Sequence, residues 1–429
     1  MQAYRAAIFH LLADPAASDG PAHAYHPDGL LLVEDGVVTA CGDFAELAPR
    51  LGQTPVETFP GRLITPGFVD LHIHFPQVDV IAAHGAQLLD WLERYVFPAE
   101  AAFADPAHAA QAAAFFVSEL LRNGTTTALV FGSVHKASVD ALFAEALSRN
   151  MRLIAGKSLM DRMAPAAVRD TAQQGERDTL ALIETWAGKG RLGYAVTPRF
   201  AMTSTDEQLA SAGAILRAHP EVWMQTHLAE NLTEVREIAA LYPDAKDYLN
   251  VYERFGLVGP KSIFAHCIHL GDDAFARMAQ AGAAAAFCPT SNLFLGSGLF
   301  DLKTACDHGV KVGIGTDVGA GTTFSVLHTL GEAYKVGQLR GRALDPFQAF
   351  YLATLGGARA LGLDDRIGNL AVGKEADFLV LDPAATPLLA RRMAHADSLS
   401  ERLFALSVLG DDRVVEYAYL AGVRRHSRG

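Results

Sequence analysis

Two histidines, His72 and His74, stand one residue apart at the end of Pro66-Gly67-Phe68-Val69-Asp70-Leu71. Alternate residues of a strand share a face. The spacing therefore predicts two imidazoles side by side at a strand end, where they can grip one metal ion. The pair alone decides little, because 16 histidines in 429 residues produce about 0.6 His-x-His pairs by chance. Its context is a series of polar residues placed the same way. His227 follows the segment 222–226, His266 follows 262–265, and Thr316-Asp317 follow 312–315. Four imidazoles and a carboxylate suit zinc, which takes nitrogen and oxygen donors and leaves a position for water. Iron or manganese tolerates a similar set. Taken singly, His227 reads as a core histidine, Asp317 as the cap of a following helix, and Cys288-Pro289 as a strand end. Recurrence at successive strand ends favours a shared metal site. Glu230, three residues after His227, can turn back to that pocket as a proton shuttle or open the next helix as a cap. His269 has no comparable support and reads as structural.

The elements that must position these residues alternate. Segments 125–130, 153–157, 192–196, 222–226, 262–265, 283–287 and 312–315 read as strands, and helical patterns such as Asp206 to His219 and Asp272 to Ala281 lie between them. With the strand before His72 this makes eight β-α units, which imply a parallel sheet closed as a (β/α)8 TIM-like barrel with its chemistry at the C-terminal strand ends. An open doubly wound sheet is the other possibility, but no Gly-x-Gly-x-x-Gly fingerprint follows an early strand. Both chain ends read as β structure. Leu30 to Val33 and Val37-Val38 flank the hairpin signal Glu34-Asp35-Gly36, and 376–382 and 414–420 are strand-like. The expected organisation is an α/β chain with residues 1–64 and 365–429 forming a small sheet domain around a catalytic barrel at 65–364.

Composition excludes several classes. A net charge of −12 disfavours nucleic acid and anionic membrane as partners, and the basic pairs Arg391-Arg392 and Arg424-Arg425 read as solvated surface. No apolar stretch has membrane-spanning length, and the N-terminus does not read as a signal peptide. Four cysteines, Cys41, Cys267, Cys288 and Cys306, with no Cys-x-x-Cys spacing, argue against a disulfide scaffold. The expected location is cytoplasmic, with thiols reduced. The His-x-Glu with Pro-Cys-x-x-Cys signature of one class of zinc enzymes is absent.

The set His-x-His, then His, His and Asp at successive strand ends resembles the amidohydrolase superfamily, metal-dependent hydrolases on a distorted (β/α)8 barrel with a small β-sandwich made from both chain ends. Further segments resemble its guanine deaminase branch: Phe75-Pro76-Gln77 after the second histidine, Pro198-Arg199-Phe200, Thr226-His227-Leu228-Ala229-Glu230, Cys288-Pro289-Thr290-Ser291-Asn292, Gly315-Thr316-Asp317-Val318-Gly319 and Arg366-Ile367-Gly368-Asn369-Leu370. Leu71 and Ala229 depart from the family, which often has a small hydroxyl residue there. The resemblance covers nearly the whole chain and implies zinc-dependent hydrolysis of guanine to xanthine and ammonia. It assigns one Zn2+ per subunit (iron being possible) to His72, His74, His227 and Asp317. Catalysis falls to Glu230, His266 and Asp317, and substrate binding to Gln77, Arg199, Phe200, His227 and Glu230. An arginine can donate to the guanine carbonyl and an amide can donate or accept. Phe75 reads as ordinary core. The resemblance also implies a homodimer. Deaminases of another aminopurine, a pterin, a pyrimidine or a triazine need the same metal set, and a non-catalytic scaffold would have lost it.

Overall fold

The computed structural model describes residues 1–18, 20–85 and 87–429. Among the described residues, sixteen strands, named β1 to β16 in chain order, divide between two sheets. The N-terminal end supplies β1 (Gln2–Leu11), β2 (His23–Glu34), β3 (Val37–Asp43) and β4 (Val56–Pro66). The middle supplies β5 (Phe68–His74), β6 (Thr125–Phe131), β7 (Arg152–Gly156), the two-residue β8 (Ser158–Leu159), β9 (Leu192–Pro198), β10 (Trp223–Leu228), β11 (Ser262–His266), β12 (Ala284–Phe287) and β13 (Lys311–Ile314). The C-terminal end adds β14 (Phe378–Leu381), β15 (Val415–Leu420) and β16 (Val423–Ser427).

Strands β5, β6, β7, β9, β10, β11, β12 and β13 pair in chain order, every ladder parallel, while β8 pairs with β9. This is the expected TIM-like barrel. Its last gap is bridged between β5 and the segment after β13. Asp317 N–H donates to the His72 carbonyl at 2.8 Å and His74 N–H to the Val318 carbonyl at 2.8 Å. Asp70 accepts from Thr316 N–H at 3.1 Å and from the Thr316 hydroxyl at 2.5 Å. A parallel strand needs a crossover connection, and helices such as Pro106–Arg122, Ala172–Trp186, Asp206–Ala218 and Asp272–Ala281 supply them. Val69, Leu71, Leu129, Ile154, Ala195, Ile263, Ala265, Ala284 and Ala286 pack together as one apolar cluster inside the barrel.

The two chain ends build the second sheet, a continuous ladder in the order β16-β15-β14-β4-β1-β2-β3. It curls strongly enough that Tyr4 of β1 meets Phe378 of β14, two strands away, with ring centroids 4.9 Å apart. The expected β2–β3 hairpin turns through Asp35 (φ 50°) and Gly36 (φ 80°), both left-handed as a two-residue turn of this kind requires. Beneath the barrel, Arg152 at the start of β7 and Arg191 just before β9 pair with Glu375 and Asp377, which precede β14. Among the described residues no helix is long and apolar enough to cross a membrane.

Candidate active site

Strand geometry carries His72, His74, His227 and Asp317 to the C-terminal mouth of the barrel. β5 does not alternate simply. Its pairing with β6 slips between Asp70 and Ile73, so that Val69 and Leu71 fill the barrel interior and His72 and His74 then both turn to the mouth. Gly315 makes room for them, since a Cβ there would lie 2.8 Å from both His72 Cβ and Cys288 Sγ. On β10, Gln225 points inward, donating to the Val130 carbonyl at 2.8 Å and to Thr197 Oγ1 at 3.0 Å. His227, two residues on, shares that face.

Nε2 of His72 and Nε2 of His74 each lie 3.2 Å from Asp317 Oδ1, and the Nε2 atoms of His74 and His227 are 3.2 Å apart. A tetrahedral ion with bonds of about 2.0–2.1 Å separates its donors by roughly 3.3 Å. One donor atom from each of the four residues falls within 4.8 Å of the others. His227 Nδ1–H donates to the Arg199 carbonyl at 2.6 Å, which leaves the Nε2 lone pair facing the cluster. His72 Nε2 is buried with no hydrogen-bond partner among the described residues, a costly state for a polar atom unless a ligand completes it. Burial pushes His74 down to about 3 and holds His72 and His227 below the usual histidine range. Burial would raise Asp317, but His72, His74 and His266 outweigh it and hold the carboxyl well below the usual range. Neutral imidazoles around an ionised carboxylate are the protonation state that metal binding requires, and this group can bind a metal ion.

Glu230 and His266 stand on the open side. His266 Nε2 is 3.5 Å from Glu230 Oε2 and 3.7 Å from Asp317 Oδ2, and its Nδ1 pairs with Asn292 Oδ1 at 2.8 Å. Because Ile263 and Ala265 already point into the barrel, alternation would turn His266 outward. A left-handed backbone at His266 (φ 71°) and Cys267 (φ 51°) redirects it, and Ala229 (φ 51°) and Asp317 (φ 53°) share that conformation. Four non-glycine residues in a sparsely populated region, all at one barrel mouth, is strain of the kind that collects at functional sites. The capping alternatives for Glu230 and Asp317 do not hold. Asn231 caps the helix Leu232–Leu241 in a capping box with Glu234, and the first helix after Asp317 starts at Val326 under Ser325. Burial, reinforced by the Asp317 charge, holds the Glu230 carboxyl well above its usual range, which favours the protonated form of a general acid. His269 lies apart, its Nε2 against the Ser297 carbonyl at 2.9 Å.

Gln77, Arg199 and Phe200 line the same pocket as His74, His227, Glu230 and Asp317. Arg199 joins its two halves. Its carbonyl receives His227, and its guanidinium extends to Glu100 at 2.8 Å. Phe75 instead packs against Phe103 and Phe116, with centroids 4.9 and 5.5 Å away, and belongs to the core. Several residues that line or support the site were not legible in the sequence. Leu88 and Trp91 come from the short helix Leu88–Trp91 and Leu92 from the turn that follows. Buried Glu100 sits in Phe97–Ala102, where Pro98-Ala99-Glu100-Ala101 looks like an ordinary solvated helix start. Phe131, at the end of β6, packs within 5.0 Å of His72, His74 and His227. An apolar strand end carries no signal of that role.

Comparison with known proteins agrees with this geometry. A match to the Amidohydrolase family spans residues 63–424. Guanine deaminase of Escherichia coli (strain K12) is 52% identical over 396 residues, covering 92% of this chain and 90% of that protein. The solved structure of E. coli guanine deaminase superposes with a TM-score of 0.97 at 48% identity, over 100% of both chains. A guanine deaminase from C. acetobutylicum, solved with guanine bound in its active site, gives 0.90 at 26% identity over 99% of each chain. The chain belongs to the amidohydrolase family and, within it, to the guanine deaminases.

Proposed function

We propose that the protein hydrolyses guanine to xanthine and ammonia, using a zinc ion held by His72, His74, His227 and Asp317. The observation that carries this reading is the continuity of the site through Arg199. One residue fixes the His227 tautomer through its carbonyl and lines the same pocket. The donor set and spacing support zinc, with iron compatible, and the bound ion supplies the acidity that makes water a nucleophile near neutral pH.

The chain's own groups do the rest. Glu230, its carboxyl held well above the usual range by burial, donates its proton to the ring nitrogen beside the carbon under attack. Asp317, ionised, accepts the water's proton and passes it toward the leaving amine. His266, with Nδ1–H directed to Asn292 Oδ1, offers its Nε2 lone pair to orient the water. That edge lies 3.7 Å from Asp317 Oδ2, so the ring keeps the attacking oxygen beside the carboxylate that takes its proton. Arg199 and Gln77 hold the base by its polar edge, while Phe200, Trp91 and Leu88 bury its faces. We assign residues 65–364 to the catalytic barrel and residues 1–64 with 365–429 to the sheet domain. The protein is cytoplasmic, in keeping with its sparse, free cysteines, and a homodimer, as the family resemblance implies; size-exclusion chromatography with light scattering checks the assembly.

Incubating the zinc-loaded protein with guanine, adenine, a pterin, cytosine and a triazine tests the substrate. Ammonia release with guanine at a kcat/KM at least a hundredfold above the rest is expected. Preference for any other member of the panel overturns the assignment.

A further inference from the structure

Behind the two base-facing side chains lies one carboxylate. Glu100 is fully buried. Its Oε1 accepts from Gln77 Nε2 at 3.1 Å and from Arg199 Nη1 at 2.8 Å, and the Arg199 side chain is itself buried. Its Oε2 has no protein partner among the described residues, so all of its hydrogen bonding goes to these two groups. Gln77 is held from the other side as well, its Oε1 receiving Gly319 N–H at 3.3 Å. A carboxylate beside an amide must face the NH2 group, so Glu100 decides which way Gln77 points. The Arg199 guanidinium also lies over the Phe97 ring, 5.7 Å from its centroid, on the same short helix as Glu100.

We infer that Glu100 is a positioning residue that sets the charge preference of the base pocket. It aligns Gln77 and Arg199 as one unit and cancels the arginine's charge. The pocket then offers hydrogen-bond donors to a neutral lactam without attracting an anion. The chemistry of the reaction gives this a use. Guanine is neutral near physiological pH, whereas xanthine loses a ring proton there. A bare buried guanidinium would hold the anionic product more tightly than the substrate. A guanidinium already paired with a buried carboxylate does not, because a second anion must compete with the first.

The inference rests on guanine being the substrate. That reading is tested on the wild-type protein and by the response of guanine KM to Arg199→Ala, neither of which involves changing Glu100. The inference itself is tested with metal-loaded Glu100→Gln, measuring guanine kcat and KM. Inhibition by xanthine and by neutral hypoxanthine is measured at one pH above xanthine's first ionisation. Expected are a guanine KM raised on the order of tenfold with kcat changed far less. The ratio of the two inhibition constants should also move toward xanthine by about tenfold. A merely structural role would weaken both inhibitors alike, and an unchanged ratio overturns the charge claim. Glu100→Asp keeps the charge and shortens the reach. It should raise guanine KM without moving the ratio, and a wild-type KM overturns the positioning claim. If Glu100→Gln does not fold, Arg199→Gln reads the charge claim from the other side. It leaves the carboxylate uncompensated and should shift the ratio away from xanthine, and a ratio that stays put overturns the claim.

Discussion

The two ends of the barrel both bury charge, and they treat it differently. At the N-terminal ends of the strands, Arg191 Nη1 meets Glu375 at 2.7 Å and Asp377 at 2.8 Å, its other nitrogens donate to the Asn150 carbonyl, and Arg152 shares Glu375. Asp377 also accepts from Ala421 N–H at 2.7 Å, and none of these side chains has a buried atom without a partner. At the C-terminal ends, His72 Nε2, His74 Nδ1, His266 Nε2 and Glu100 Oε2 are buried without hydrogen-bond partners among the described residues. The first network closes on itself and joins the barrel to the small sheet. The second stays open toward a pocket and is completed by what binds there. Buried polarity marks function where it is unsatisfied, and marks structure where it is satisfied.

The sharpest way to break this contrast is at the open end. Glu230→Gln should leave one metal per chain in place while turnover falls by about 10²–10⁴-fold. Near-normal rates in that variant would remove Glu230 from the chemistry. At the closed end, Arg191→Met strands the buried Asp377 carboxylate and leaves the half-buried Glu375 to Arg152 alone. It should cost about 3–5 kcal/mol of stability, read from denaturant midpoints, while leaving metal content and guanine KM unchanged. If it altered catalysis without destabilising the fold, the division between the two ends would be wrong. Arg199→Ala should raise guanine KM by about 10–100-fold with metal content intact, and unchanged kinetics would sink its role at the base.

Histidine gives the finest test, because a buried histidine also occurs far from the metal cluster. His10, on β1 of the small sheet, is pushed down to about 4, chiefly by burial. Its folded value lies below the ordinary one, so between about pH 6.5 and 4 the unfolded chain binds a proton that the folded chain refuses. Stability is therefore lost as pH falls through that window, by on the order of 3 kcal/mol. His10→Gln should flatten that part of the pH–stability curve, and an unaltered curve would show that His10 is not its source.

How far the sequence revealed all this follows the same division. Strand ends are legible because apolar runs stop at polar residues, and His72, His74, His227, Glu230, His266 and Asp317 all meet at one mouth as their spacing implied. The barrel and the two-ended sheet follow from alternation and turn signals such as Asp35-Gly36. What stayed hidden is what periodicity cannot express. The slip in β5 and the left-handed turn at His266 are backbone departures with no glycine to announce them. Glu100 and Trp91 come from short helical pieces at 88–102 whose inward faces are set by the barrel mouth rather than by a repeat of their own.

The central claim is that the strand-end cluster holds one metal ion on which guanine hydrolysis depends. Its most direct test is to strip the protein with a chelator, return zinc in known amounts, and follow bound metal and xanthine formation together. Activity should vanish on stripping and return in proportion to bound zinc, saturating at one ion per chain. Full activity in the stripped protein, or saturation with no stoichiometric metal bound, would contradict the account.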